Sequence, residues 1–248
     1  MLEVGASARL ILNLPQHTFQ ARMDSVDVVF GLRPAARLVV RHGFEVESIA
    51  GALVESGVSV AVGRGVKHQR RNSVIQCIDW FSVESCSNES TESMAVLYIG
   101  MNTESAIAAR SADESGDDER FGLTLGYPEC CREFVRQRHG VPAISECFDL
   151  YAPRGHFEPW SWSATMALDA ALQPHFPCEP FCANSIRFAK ERWKIVTRFG
   201  SEVDCTRVRN AREATYWLES GGGVHFAKTE QDVPGSALKR AIPSGPWP

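Results

Sequence analysis

Apolar and polar positions change rhythm along this chain. From residue 8 to residue 100 the apolar residues come in short clusters bounded by turn formers, and after about residue 120 they recur every three or four positions. The first rhythm predicts short strands at residues 8–14, at Val26-Asp27-Val28-Val29-Phe30, at Val58–Val62, at Ser73–Val83 and at Ala95–Gly100. β-Branched and aromatic residues concentrate in these runs, and such side chains pack well on a pleated surface. Between them, Pro34 opens a predicted helix over Arg33–His42. Ile49, Ala50, Leu53 and Val54 share one face of another over Ser48–Ser56, with Gly57 where a left-handed cap belongs. Asn102 or Thr103 caps a third that runs through Arg110.

Two polar runs punctuate this half. Glu84–Ser93 offers nothing to a core and is expected to be a loop, and Asp113–Glu119 is expected to be an exposed acidic connector. Past the connector, Cys131, Phe134, Val135 and Arg138 share a helix face. Ile144–Tyr151 fits a second helix, and Ser161 or Ser163 caps a third running through Leu172. The longest begins at Pro180 and reaches Phe199, with Cys182, Ile186, Ala189, Trp193 and Val196 as its buried stripe. Beyond Ser201 the periodicity fades, and Ala214–Leu218 with Val224–Ala227 around Gly221–Gly223 suggests a hairpin. The expectation is an α+β fold: a strand-rich layer over residues 1–112, a mainly helical cysteine-rich region over 120–228, and a flexible tail rich in Pro, Gly and Ser over 229–248.

Composition narrows the setting. The 248 residues are 44% apolar, yet no run is long enough to cross a bilayer. Leu10-Ile11-Leu12 is cut by Asn13 and Pro15, too soon for the core of a secretory leader, so a soluble cytoplasmic protein without membrane contact is expected. In that compartment eight cysteines argue against a disulfide framework and for metal or redox chemistry. The net charge of −4 is uneven: residues 1–120 hold 11 Lys+Arg against 16 Asp+Glu, and residues 121–248 hold 15 against 14. The first half is therefore no polyanion binder. A basic concentration at Arg187, Lys190, Arg192, Lys194, Arg198, Arg207, Arg209 and Arg212 fits the solvated face of a helix or a phosphate contact. Lys67, His68, Arg70 and Arg71 form a smaller basic group, either an anion-binding loop or a solvated run.

Two elements carry the candidate chemistry: Gly126-Tyr127-Pro128-Glu129-Cys130-Cys131-Arg132-Glu133-Phe134 and Pro177-Cys178-Glu179-Pro180-Phe181-Cys182. In each, proline precedes a helical segment, so the cysteines fall near unpaired backbone N–H groups and positive partial charge. A thiolate is favoured there, and the thiolate is the form that binds metal or attacks an electrophile. Cys130, Cys131, Cys178 and Cys182 are therefore candidate metal ligands, with an iron or iron–sulfur centre as first choice and zinc as second. Adjacent Cys130 and Cys131 strain a single-ion site and suit a multi-metal cluster better. Glu129, Arg132, Glu133 and His175 are the polar side chains expected to face a small-molecule substrate in a metalloenzyme.

Rival readings stay open at this level. The protein can be a non-catalytic module with structural zinc that binds RNA or an acidic partner, or a metal-free thiol enzyme with His139, His156 or His175 as base. The cysteines can also be core residues, since Cys is among the most buried types. Cys147 is expected in a core, and Cys77, Cys86 and Cys205 are expected to be structural or incidental. Cys178-x3-Cys182-x2-Ser185 has two positions of the C-x3-C-x2-C arrangement of radical S-adenosylmethionine enzymes, but the third is serine and no repeated strand–helix pattern surrounds it.

Tyr98-Ile99-Gly100 before a helix, Leu125-Gly126-Tyr127-Pro128-x-Cys130-Cys131-x-x-Phe134, and Pro177-Cys178-x3-Cys182-x2-Ser185 together resemble an uncharacterised prokaryotic family, domain of unknown function 483. The resemblance spans roughly residues 95–195, and G-Y-P-x-C-C is its most specific part. It implies that the four cysteines are a shared feature of one domain, and it brings no reaction with it.

Overall fold

The computed structural model describes residues 4–12, 19–41, 44–71, 78–82, 93–138, 172–179, 181–213, 215–218 and 224–227. They divide into two compact units, one formed by the described residues through Tyr127 and one by those from Pro128 onward.

The first unit is built on a four-stranded sheet. Its strands β1 (Ala35–Arg41), β2 (Ser59–Arg71), β3 (Ile78–Ser82) and β4 (Ser93–Gly100) lie in the order β1-β4-β2-β3, and every neighbouring pair is antiparallel. Leu97 of β4 stands between Leu38 on one side and Val62 on the other. The central strand is buried throughout Ala95–Gly100, which explains its uninterrupted apolar run: a strand covered on both faces has no reason to alternate. Val96 and Tyr98 pack with Ala35, Ala61 and Leu125 against the small residues Ala106 and Ala109 of α4 (Thr103–Ser115). Helices α1 (Val4–Leu12), α2 (Phe19–Val29) and α3 (Phe44–Glu55) complete this part, with α2 and α3 both touching β1 and β4. An antiparallel sheet with helices about it, followed by a mainly helical remainder, is the α+β architecture expected from the sequence.

Four local expectations are corrected. Residues 8–12 and 26–29 are helical, not extended; Phe19, Met23 and Val26 are buried four and three residues apart, a period that the cluster after Val26 hides. Arg33–His42 is not a helix: β1 occupies Ala35–Arg41, where Ala36, Leu38 and Val40 are buried and alternate with the less buried Arg37 and Val39. The acidic run 113–119 is helical on both sides of Gly116, where α4 ends with φ 71° and α5 (Asp118–Thr124) begins behind Asp117. Its acids hold the helices in place. Asp113 accepts from the Tyr98 hydroxyl at 2.5 Å and pairs with Arg37 at 3.1 Å, and Asp117 caps α5 by accepting from the Arg120 N–H at 2.9 Å. Lys67, His68, Arg70 and Arg71 lie on strand β2 and so do not form a loop.

The G-Y-P part of the cysteine element has a plain structural meaning. Gly126 ends α5 in the left-handed conformation, φ 71°, with its N–H on the Leu123 carbonyl and the Tyr127 N–H on the Gly122 carbonyl, both at 3.0 Å. A Cβ there would stand 2.8 Å from Pro34 Cδ, so only glycine fits without rearrangement. Tyr127 packs against the core around Tyr98.

In the second unit, α6 (Glu129–Gln137) follows Pro128 directly, α7 spans Ala183–Phe199 and α8 spans Glu202–Glu213. Strands β5 (Thr215–Leu218) and β6 (Val224–Ala227) pair antiparallel as the suggested hairpin. The buried face of α7 carries Ser185, Ala189, Arg192, Ile195 and Val196, rotated from the predicted stripe, so that Ile186 and Trp193 are only half-buried. Helix α8 escaped the sequence reading because its surface is mostly charged; Ser201 caps it, with its Oγ accepting from the Asp204 N–H at 3.1 Å and donating to the Asp204 carboxylate at 2.9 Å. The expected helices at 144–151 and 161–172, the polar loop 84–92 and the tail 229–248 lie outside the described residues, apart from Leu172. Among the described residues no helix is long and apolar enough to cross a membrane.

Candidate metal centre

Two helix starts deliver the four cysteines. Pro128 fixes φ at −56° before α6, and its carbonyl accepts from the N–H groups of Cys131 and Arg132, both at 3.0 Å. Cys130 and Cys131 are thus the second and third residues of α6, set about 100° apart around its axis. Cys182 is the residue at the head of α7, its carbonyl accepting from the Ile186 N–H at 2.9 Å, and Cys178 precedes it in the connecting segment.

The four sulfurs lie within 4.8 Å of one another. Cys130 and Cys131 Sγ are 3.8 Å apart, Cys130 and Cys182 Sγ 3.8 Å, and Cys131 and Cys182 Sγ 3.7 Å. Adjacent Cys130 and Cys131 therefore both reach one point, because their offset around α6 lets the two side chains converge from either side. The group could hold a metal ion. Cys131 and Cys182 are buried, Cys178 is half-buried and Cys130 is exposed.

Electrostatics divide the thiols in the absence of an ion. Burial pushes Cys131 well above the ordinary thiol range, with the Ser185 hydroxyl pulling the other way. Burial, then the neighbouring Cys182 and Cys130 sulfurs, push Cys178 up to about 12. Burial also penalises the Cys182 thiolate, but the Ser185 hydroxyl and N–H, and then the Cys131 and Cys178 thiols, outweigh it and bring Cys182 down to about 7.

The other predicted site residues are placed less directly. His175 is buried behind the sulfurs: its Nε2 is 2.8 Å from Ser185 Oγ, and that oxygen is 3.5 Å from Cys131 Sγ. His175 also meets Phe188 edge-on with centroids 6.2 Å apart, and the fully buried Arg192 lies over the same ring at 5.3 Å. Glu133 is held along α6 by Arg136 Nε at 2.7 Å, Arg136 Nη2 at 2.6 Å and Gln137 Nε2 at 2.7 Å, donors that hold its carboxyl at about 2. Glu129 is exposed at the start of α6, and Arg132 is half-buried one residue past Cys131.

Sequence reasoning passed over three residues. Ser185 joins His175 to Cys131, Asn184 donates from Nδ2 to Cys130 Sγ at 3.7 Å, and Arg192 is buried where a solvated base was expected. The serine at the third position of the C-x3-C-x2-S spacing was the available signal. Cys205 packs its Sγ on the Val196 carbonyl at 3.6 Å, away from this group. Cys77, Cys86, Cys147, His139 and His156 lie outside the described residues. Comparison of the chain with protein-family models, curated proteins and solved structures returned no match.

Metal affinity should depend steeply on pH. The ligating form is the thiolate, so each thiol still protonated in the metal-free chain must release its proton, and each adds roughly a tenfold loss of affinity per pH unit of acidification. Cys131 and Cys178 remain protonated at neutral pH, and Cys182 joins them as pH falls through about 7. Zinc competition against a chelator of known affinity, from pH 8 to pH 6, should show at least a hundredfold weakening per unit. A flat profile would place the metal elsewhere.

Proposed function

We propose that the second unit is a metal-centred module in which Cys130, Cys131, Cys178 and Cys182 hold a single tetrahedral ion, zinc, whose role is structural. The observation that carries this reading is the spacing of the sulfurs. A tetrahedron with zinc–sulfur bonds of about 2.3 Å has edges of about 3.8 Å; the three pairs among Cys130, Cys131 and Cys182 stand 3.7–3.8 Å apart, and Cys178 Sγ lies within 4.8 Å of each of them. A four-iron cluster places each thiolate on a different metal corner, which spreads the sulfurs over a larger body. The spacing thus supports a single tetrahedral ion over the iron–sulfur cluster in the first choice from the sequence; a lone iron ion, the other part of that choice, would share this spacing with zinc, and the proposal takes zinc.

Four protein sulfurs fill a tetrahedral shell and leave no position for water or substrate, which supports a structural centre over a catalytic one. The polar groups expected around a substrate point the same way: Glu133 is occupied by Arg136 and Gln137, and His175 by Ser185. Such an ion ties the start of α6 to the start of α7. In small zinc domains this contributes apparent binding free energy of roughly 10–16 kcal/mol at neutral pH, comparable to the whole stability of a domain. Membership of the resembled family, domain of unknown function 483, belongs to the same proposal, with these elements as its shared metal site.

A face for a partner is supported by a second observation. Arg187, Lys190, Lys194 and Arg198 are exposed along one side of α7 at spacings of three, four and four, with Glu191 beside Lys194 at 2.7 Å as the acidic residue paired into the row. The row suits a polyanionic backbone, and of the two partners the module reading offers, RNA or an acidic partner, the proposal takes RNA.

Two measurements test the proposal. Protein prepared with zinc should carry one equivalent, and Cys178→Ser and Cys182→Ser should each lose it and lower the thermal midpoint of the second unit; unchanged stoichiometric zinc in both variants contradicts the site. RNA binding by the zinc-loaded protein should fall at least tenfold between 50 mM and 200 mM salt, as expected for about two to four neutralised phosphates, and Lys190→Gln with Arg198→Gln should flatten that slope. Binding that ignores both salt and the double variant removes the RNA assignment while leaving the metal centre standing.

A further inference from the structure

We propose that Cys130 is an oxidation site through which a peroxide opens the metal centre. The inference rests on the metal reading above and adds a chemical asymmetry among the four sulfurs. Cys131 and Cys182 are 2% and 3% exposed and Cys178 is half-buried, whereas Cys130 is the most exposed residue of the four. A metal-bound thiolate keeps its nucleophilicity to the extent that solvent species reach it and few donors hold it. The Asn184 amide donates to Cys130 Sγ across a long 3.7 Å at an exposed position, and the Arg187 guanidinium, donating to Asn184 Oδ1 at 3.3 Å, turns that amide toward the sulfur. Cys131, by contrast, is sealed behind Ser185 and His175. A small oxidant arriving from solvent therefore meets Cys130 first.

The resolving thiolate is Cys182. Cys131 is as close in sulfur position, but the Cα atoms of adjacent residues are about 3.8 Å apart across a trans peptide, shorter than the roughly 4.4–6.8 Å that disulfides span. Closing that pair would distort the first turn of α6. Cys182 Sγ is 3.8 Å from Cys130 Sγ and belongs to a different element. In the first step the Cys130 thiolate attacks one oxygen of hydrogen peroxide: an S–O bond forms, the O–O bond breaks and hydroxide leaves, so the sulfur is oxidised to sulfenic acid and the peroxide is reduced. In the second, the Cys182 thiolate attacks the Cys130 sulfur: an S–S bond forms, the S–O bond breaks and a second hydroxide leaves. Two protons from solvent convert the hydroxides to water. The ion, left with Cys131 and Cys178, dissociates.

The test uses the full chain loaded with zinc. Metal content is measured first; hydrogen peroxide is then added with a zinc-sensitive dye present, and the cysteines are mapped by mass spectrometry at several times. The expected result is release of one equivalent of zinc in step with a Cys130–Cys182 disulfide, reversed by dithiothreitol and added zinc. Asn184→Ala should retain its zinc and release it two- to tenfold faster under peroxide, about what one exposed hydrogen bond is worth in rate. A chain that holds no zinc at the outset overturns the metal reading and this inference with it. A chain that keeps its zinc while other cysteines are oxidised, or that releases zinc with Cys130 still reduced, overturns the inference alone.

Discussion

Four sulfur atoms gathered within 4.8 Å set the terms for the second unit. Two thiolates 3.8 Å apart repel by about 4 kcal/mol at an effective dielectric constant near 20, so four of them cannot ionise together without a cation among them. Neutral thiols can pack at such distances. They gain nothing, however, from being placed at two helix starts, where backbone N–H groups favour negative charge. The arrangement makes physical sense once a cation balances that charge, and without one burial and hydrogen bonding decide which thiol ionises. Burial keeps Cys131 and Cys178 protonated, while Ser185 and the neighbouring thiols let Cys182 ionise first.

What delivers the sulfurs is a pair of helix starts in the second unit. Pro128 opens α6 so that Cys130 and Cys131 fall in its first turn. On the other side Cys182 stands at the head of α7, whose next residues, Asn184 and Ser185, reach Cys130 and Cys131 respectively. Behind Ser185 come the buried His175 and Arg192 with the half-buried Phe188 between them, a polar and aromatic layer in place of the plain apolar stripe expected on α7. Thiol, supporting hydroxyl and imidazole are thus arranged in succession, and the outer groups fix the orientation of the inner one.

The parts of this arrangement visible in the sequence are those written in local chemistry. Proline before cysteine twice over, and glycine two residues before proline, mark helix boundaries whatever the tertiary context. The uninterrupted apolar run of β4 marks a strand buried on both faces. What stayed hidden depended on packing. Val26–Phe30 clusters β-branched residues as a strand would, but its partners Met23 and Phe19 stand one and two helical turns earlier. Pro34 precedes a strand although it equally suits a helix start. Arg192 has the composition of a surface residue and is fully buried beneath Phe188, which no spacing rule foretells. Adjacent cysteines strain a single-ion site in an extended chain, whereas in a helical turn the offset of about 100° between consecutive residues lets both side chains turn toward one point.

X-ray absorption at the zinc edge, on protein loaded with one equivalent of zinc, tests the central claim most directly. The account predicts a single shell of four sulfurs at about 2.3 Å, with no nitrogen or oxygen neighbour and no second metal. A shell containing water oxygen or imidazole nitrogen, or fewer than four sulfurs, would contradict a closed four-cysteine centre.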